Sequence, residues 1–419
     1  MNRLLILEFK RVLKRRQTMI IIFVSFFFSI VLAMIPVISQ EAFHYDKSGK
    51  AETLKGLDAI VFKRDLQKDI IGIVTPEKFR LAVEISQKCL REYGVESQYD
   101  LPVEVYTERI EPYSLLVHKV KEVLADPDTG FAPSILQIDP ETLDGNFYDR
   151  FEERLEGIME TEQKDHRVVR STSIEMYKRV QLPLFFFGTN GDAMDYQVLL
   201  SFIILLACTF LAAPVFSSDY QNGAEDILRC TKYGGIRLAN VRIITSICVS
   251  ALLYGVSISL YIFISNSLFG WECTETSMQV VYSAVSLPDW NIGQLQWIMM
   301  FAGLASVMAT VSFTLLISSK NRNVLIPLAI GLITCILPMI IYFPLRKINE
   351  DLGLWVQAIV ASNGAGLLGS FYYEALDLYF LRIGRFAIWV PLAMVVFSVA
   401  EFGFFIAVSN VSYDKYKEY

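Results

Sequence analysis

The three histidines of this 419-residue chain are His44, His118 and His166. None stands in a metal-ligand or nucleophile pattern such as HExxH or GxSxG, and each reads as a surface side chain. The cysteines, Cys89, Cys208, Cys230, Cys248, Cys273 and Cys335, lie too far apart in sequence for a zinc set. No GxxxxGK[ST] occurs, so the chain has no P-loop with which to hold ATP. Carboxylates are abundant but spread along charged helix faces, as on a solvated surface, and no catalytic residue is assigned. Two places remain unusual. Glu401 stands alone inside the apolar run VVFSVAEFGFFIAV, where a charge costs about 2.5–3.5 kcal/mol and must face protein or water. It reads either as an intramembrane polar contact, to cargo or to another helix, or as a protonated or snorkelling group. The second place is SSDYQNGAEDILRCTKYGGIRLANVR, residues 217–242, a charged and glycine-punctuated interval between two apolar runs that a short turn could have joined.

Those apolar runs are the elements that must position everything else. Hydrophobic residues make up 53% of the chain, and they gather in blocks of the ~20 residues that cross a bilayer as helix. Short alternating segments of the kind that build a membrane barrel are absent. The expected fold is therefore an all-α polytopic membrane protein with six spans, at 18–39, 195–216, 240–269, 294–318, 324–345 and 386–409. The first is too long in its apolar core for a cleaved signal peptide and reads as a retained anchor.

Basic residues in the short loops set the orientation. Arg3, Lys10, Arg11, Lys14, Arg15 and Arg16 precede the first span, Arg229, Lys232 and Arg237 follow the second, Lys320 and Arg322 follow the fourth, and Lys415 and Lys417 follow the sixth. All fall on one side, which is then cytoplasmic, with both termini inside and the plasma membrane as the expected location. The net charge of −6 is uneven: residues 41–190 hold 28 acidic and 20 basic side chains, a balance of −8. An acidic exterior and a basic inner rim argue against a nucleic-acid partner. Only Cys89 and Cys273 then lie outside, and a disulfide between them stays open.

Residues 1–17 form an amphipathic interfacial helix, with Leu5, Ile6, Phe9, Val12 and Leu13 against Arg3, Lys10 and Lys14; it lies on anionic headgroups, with or without a cytoplasmic partner. Residues 40–194 form a mostly helical extracellular domain. Thr75-Pro76-Glu77 opens one helix and Asp139-Pro140-Glu141 another, running through Phe147, Phe151, Leu155 and Ile158, while YSLLVHKVKEVLAD supplies a third. Residues 270–293 and 346–385 are external, 319–323 and 410–419 cytoplasmic. Within 346–385, two short apolar pieces flank Asn363-Gly364-Ala365-Gly366, the pattern of re-entrant or interfacial helices. Tyr254, Ser306, Thr310, Ser312 and Thr314 are expected to hydrogen-bond between helices, Pro327 and Pro338 to bend the fifth span, and Gly303 to have no special role.

The loop 217–239 predicts about three helical turns over residues 219–230, with Tyr220, Ala224, Ile227 and Leu228 on an apolar face, Ser217 or Ser218 as cap, and Gly234-Gly235 as terminator. A helix lying on lipid would carry mainly lysine and arginine on its polar face. Asp219, Glu225 and Asp226 make this one acidic, which favours a protein groove. An apolar span followed by Phe216, Asp219-Tyr220, Gly223, Ile227-Leu228, Thr231-Lys232, Gly234 and Arg237 resembles the ABC transporter type 2 permeases, in particular the six-span branch with a large external insertion after the first span. The family often has Gly-Arg directly where this chain has Gly234-Gly235-Ile236-Arg237.

The resemblance implies a non-catalytic permease subunit of an exporter, with a second permease half, identical or related, and a dimer of P-loop ATPase subunits that carry the ATP and magnesium. It implies that 217–239 is a coupling helix seated on the ATPase, with Asp219, Tyr220, Gly223, Glu225, Ile227, Leu228, Thr231, Lys232 and Arg237 as the coupling residues. The implied cargo is amphipathic: a peptide antibiotic, or a lipid-like or drug-like molecule. The alternative is a membrane sensor or adaptor whose external domain binds a ligand and signals through 217–239.

Overall fold

A computed structural model describes residues 2–45, 49–190 and 192–415; Lys417 of the expected basic tail lies outside the described residues. The chain is mostly helical, with short strands paired only in two-stranded hairpins or bridges. Among the described residues, five helices are long and apolar enough to cross a membrane: Arg16–Ile38, Ala193–Gln221, Ile236–Phe269, Ile292–Lys320 and Val390–Tyr413. The fifth expected span falls on the helix Leu325–Ile348, whose apolar part, Leu325–Ile341, is shorter than these. In chain order these six are called the first to sixth long helices. Pro327 falls in the first turn of the fifth, where its missing N–H costs nothing, so of the two expected prolines only Pro338 interrupts the hydrogen-bond ladder, joined by Pro344.

The fourth long helix is the hub. Gln296 exchanges amide hydrogen bonds with Asn266 of the third at 2.9 and 3.1 Å, and its carbonyl accepts from Gln197 of the second at 2.9 Å. Tyr254 donates to Ser201 at 3.1 Å, as expected of a helix–helix bond. Thr310, Ser312 and Thr314 instead donate to the carbonyls of Ser306, Met308 and Thr310, four residues back on their own helix, because a buried hydroxyl finds that acceptor without any help from a neighbour. Gly303 is needed where it stands. A β-carbon there would lie 1.9 Å from the Tyr254 hydroxyl, so only glycine admits the third helix at this point.

Residues 360–366 reach the middle of the fourth helix. Ser306, the midpoint of Ile292–Lys320, donates to the Ala361 carbonyl, and a β-carbon on Gly364 would stand 2.9 Å from that of Ser306. Ser362 donates to the Thr334 carbonyl of the fifth helix at 2.7 Å. This non-helical backbone is covered by protein, with Ala361, Ser362, Asn363 and Ala365 all buried. Past it come the helix Phe371–Leu376 and a hairpin of Phe380–Ile383 with Phe386–Trp389, so the sixth helix starts at Val390 and not at residue 386.

The opposite end of the bundle from the N-terminal helix carries a head. One apolar core runs from Phe79, Val83, Phe147 and Phe151 through Val280 and Leu287 to Phe371 and Trp389. Segments 270–293 and 367–389 thus belong to the head as much as residues 40–190 do. Thr75-Pro76 starts the helix Pro76–Tyr93 as expected, and Gly94 at φ 64° ends it. Asp139 caps only a single turn, Pro140–Thr142, and the charged helix begins later, at Asp149–Glu162. All six cysteines are free: Cys89 packs with Leu90, Leu101, Val105 and Ile110, whereas Cys273 lies under Gly188, so no disulfide joins them. His118 is exposed, but His44 and His166 are half-buried, the first with its ring 5.0 Å from Phe62. No cluster of three metal-capable side chains occurs among the described residues.

A candidate coupling site at the base

The second long helix is broken at Pro214, its last part being Pro214–Gln221, and a separate short helix, Ala224–Arg229, follows it, so residues 219–230 are not one continuous helix. Asn222 ends Pro214–Gln221, and Gly223, at φ 68°, turns the chain in a conformation that side chains disfavour. Proline explains the earlier break. Pro214 cannot donate, and the N–H groups of Phe216 and Ser217 both point at the Ser318 hydroxyl, 3.2 and 3.1 Å away, which in turn donates to the Ala213 carbonyl at 2.7 Å. The second and fourth long helices are joined through that one hydroxyl. Ser217 caps nothing; it is buried and donates back to Ala213.

Below this joint lies a buried ionic network. Arg242, only 1% exposed on the first turns of the third long helix, pairs with Asp219 and with Glu225, the latter at 3.3 Å. Arg229 pairs with Glu225 at 3.0 Å and donates to the Tyr413 carbonyl at 3.0 Å. Tyr413, near the end of the sixth long helix, donates its hydroxyl to Glu225 and also approaches the Gly234 carbonyl. From the N-terminal helix Asn2–Leu13, Arg11 reaches Asp219 at 3.3 Å and is held by Glu8. Aromatic rings close the assembly: Phe216 packs on Tyr413 at 5.3 Å, and the Arg229 guanidinium sits 4.6 Å over the Tyr413 ring. Burial lowers the Arg229 pKa, but the bond to Glu225 and nearby charges outweigh it, and the net shift is upward.

Three guanidinium groups therefore meet three carboxylates, with Arg242, Asp219 and Glu225 buried at the centre. Removing one partner from such a set costs about 3–5 kcal/mol, because it strands a buried charge. The loop is consequently fixed to the third and sixth long helices and to the N-terminal helix. Gly234 brings its far end close: a β-carbon there would lie 1.8 Å from the Leu228 carbonyl oxygen.

The nine expected coupling residues divide into three sets. Asp219 and Glu225 are buried and face the chain's own arginines. Tyr220 is half-buried, its hydroxyl 3.3 Å from the Ser319 carbonyl, and Leu228 is half-buried. Gly223, Ile227, Thr231, Lys232 and Arg237 are exposed, Ile227 at 73%. The acidic face that favours a partner groove is thus internal apart from Asp226, because Arg242 and Arg229 neutralise the other two acids. Sequence reasoning passed over Tyr233, whose exposed ring lies between Lys232 at 5.7 Å and Arg237 at 5.6 Å, and exposed Ile236. It also passed over Arg242 and Tyr413, although an arginine two residues inside an apolar run was a signal that a carboxylate must sit nearby. Glu401 is half-buried on the sixth helix, and its Oε2 has no hydrogen-bond partner among the described residues. Comparisons with family models, with curated proteins and with solved structures give no match.

Proposed function

We propose that this chain is the permease subunit of an ATP-driven exporter of the ABC transporter type 2 kind. The six long helices are its spans, the base and both termini face the cytoplasm, and the head lies outside the plasma membrane. A second permease half completes the pathway. A dimer of P-loop ATPase subunits binds ATP and magnesium, so the chain itself catalyses nothing. The cargo is an amphipathic peptide, lipid-like or drug-like molecule.

One observation carries the reading. The loop 214–235 is fixed on its inner side to the N-terminal, third, fourth and sixth helices, while its outer side presents Asp226, Ile227 and Tyr233 to solvent beside Ile236 and Arg237 at the start of the third helix. A lever needs that combination. Buried charge pairs make it stiff, since any flexing would expose unpaired ions to an apolar surrounding. An exposed isoleucine, together with an exposed aromatic ring flanked by cations, gives a partner something to grip. A nucleotide-driven displacement applied at Ile227 would reach the third and sixth helices without being absorbed in the loop.

The test is co-purification with a P-loop ATPase and measurement of coupled ATP hydrolysis. Ile227→Lys alters only the outer face, so the protein should insert and melt like the wild type while partner-stimulated hydrolysis falls at least tenfold. Full coupling in that variant, or a chain that purifies with no ATPase in mild detergent, would overturn the proposal.

A further inference from the structure

A cavity of about 330 Å3 opens beside the ionic network, within the size range of small-molecule sites. It is walled by the N-terminal helix and by the first, second, third and fifth long helices. Its polarity is divided. Arg11, Arg15 and Arg242 line it near the base, whereas Ile21, Phe210 and Leu328 line it toward the apolar interior. Glu8 is the carboxylate in the lining, and it is already bound to Arg11.

We propose that this cavity holds an anionic phospholipid of the adjacent leaflet, its headgroup on Arg15 and Arg11 and the start of its acyl chain along Leu328 and Phe210. Unsatisfied donors point to a ligand. Arg242 is 1% exposed, yet its Nε has no hydrogen-bond partner, and neither has the buried Nε of Arg11. Asp219 stands behind those two arginines and balances part of their charge. Arg15 has no ion-pair or hydrogen-bond partner for its guanidinium among the described residues, so it carries the uncompensated charge. Burial, with Arg11 adding to it, pushes the Arg15 pKa down from its ordinary value, although Asp219 and Glu8 act the other way. Water would fill the apolar half poorly, and a free phosphate would leave that half empty. An acidic lipid satisfies both ends, and the leaflet supplies it at high local concentration.

The site also has a consequence for the loop. Arg11 touches the headgroup position and Asp219 together, so the bound lipid would hold the N-terminal helix against the network. This inference does not rest on an ATPase partner, and it is tested on the chain alone.

The experiment is native mass spectrometry of the purified full chain, titrated with phosphatidylglycerol, with phosphatidylcholine, and with inorganic phosphate. Phosphatidylglycerol should bind in a one-to-one complex, phosphatidylcholine at least fivefold more weakly. Arg15→Gln should weaken phosphatidylglycerol roughly fivefold, the equivalent of about 1 kcal/mol for one basic contact. Leu328→Trp should block the apolar end and lower affinity while leaving the arginines in place. Equal binding of the two lipids would overturn the charge recognition. Saturation by phosphate that excludes the lipid would overturn the amphiphile, and unchanged affinity in both variants would overturn the location.

Discussion

Tyr413, near the end of the sixth long helix, donates its phenolic hydrogen to Glu225 in the short helix between the second and third. The two residues are 188 positions apart, and this bond ties the last helix to the loop. Tyr413→Phe removes the hydroxyl but keeps the ring that packs on Phe216 and under Arg229. A hydrogen bond to a charged acceptor contributes about 1.5–3 kcal/mol. Thermal unfolding in detergent should show a lower midpoint for Tyr413→Phe and a still lower one for Tyr413→Ala. A wild-type midpoint for both would mean that the sixth helix is not fastened here.

The network should behave as a unit. Arg242→Met leaves Asp219 with Arg11 alone and Glu225 with Arg229 and Tyr413, one cation short, and should cost about 3–5 kcal/mol. Adding Asp219→Asn restores the balance, because Arg229 keeps Glu225 and Arg11 keeps Glu8, so the double variant should be more stable than Arg242→Met alone, a non-additivity that a mutant cycle measures directly. Strict additivity would show that the two side chains act independently.

How much of this was legible beforehand follows from the range of the forces involved. The long helices could be read because a bilayer demands ~20 apolar residues in a row whatever their neighbours are. The N-terminal helix and the Thr75-Pro76 start were readable because caps and amphipathic faces are local. The direction in which Asp219 and Glu225 point was not, since it depends on Arg242 and Tyr413, both beyond any helical period. Gly303 looked idle for the same reason: its meaning lies in Tyr254, on another helix. Nor could the hairpin before the sixth helix be separated from it, as Phe386–Trp389 is as apolar as the helix it precedes.

That close approach gives a third prediction. Gly303→Ala forces a β-carbon to within 1.9 Å of the Tyr254 hydroxyl and 2.9 Å of its ring, so the third and fourth helices must separate. Overpacking of this kind typically costs about 1–3 kcal/mol. Adding Tyr254→Phe removes the worst clash, and the double variant should regain part of the lost melting temperature. A double variant less stable than either single one would show that the clash is not the cause.

The head carries its own buried pair. Lys119, fully buried, donates to Glu122 at 2.6 Å and to the Tyr282 carbonyl, while Glu122 also accepts from the N–H of Ala284 at 3.0 Å and from Ser283. Burial raises the Glu122 pKa, but Lys119 and these donors outweigh it and hold the carboxyl below its ordinary range. A carboxyl depressed in the folded state contributes stability that is complete above its unfolded value, about 4.3, and is lost as pH falls through the folded one. Acid should therefore loosen residues 282–284 from the head helix Ser114–Val123. Protection of the Ala284 amide, taken relative to its intrinsic exchange rate at each pH, should fall more between neutral pH and about pH 4 or below in the wild type than in Glu122→Gln, which has already lost the charge.

Glu401 decides between two roles that the fold alone leaves equivalent. Its Oε2 has no hydrogen-bond partner among the described residues, so no bond at that oxygen repays its burial. Placed in an apolar helix, that group costs up to about 2.5–3.5 kcal/mol. Glu401→Leu should consequently match or exceed the wild type in melting temperature, and Glu401→Gln should fall between them. Under the proposed function, a residue at such a cost without a structural return is expected to serve the cargo or the proposed second half. Transport reconstituted in vesicles should then fall in both variants although the protein is at least as stable. If both variants melt lower than the wild type, Glu401 is a structural residue held by a group in the membrane or the partner half. If both transport normally, the carboxylate has no part in the pathway.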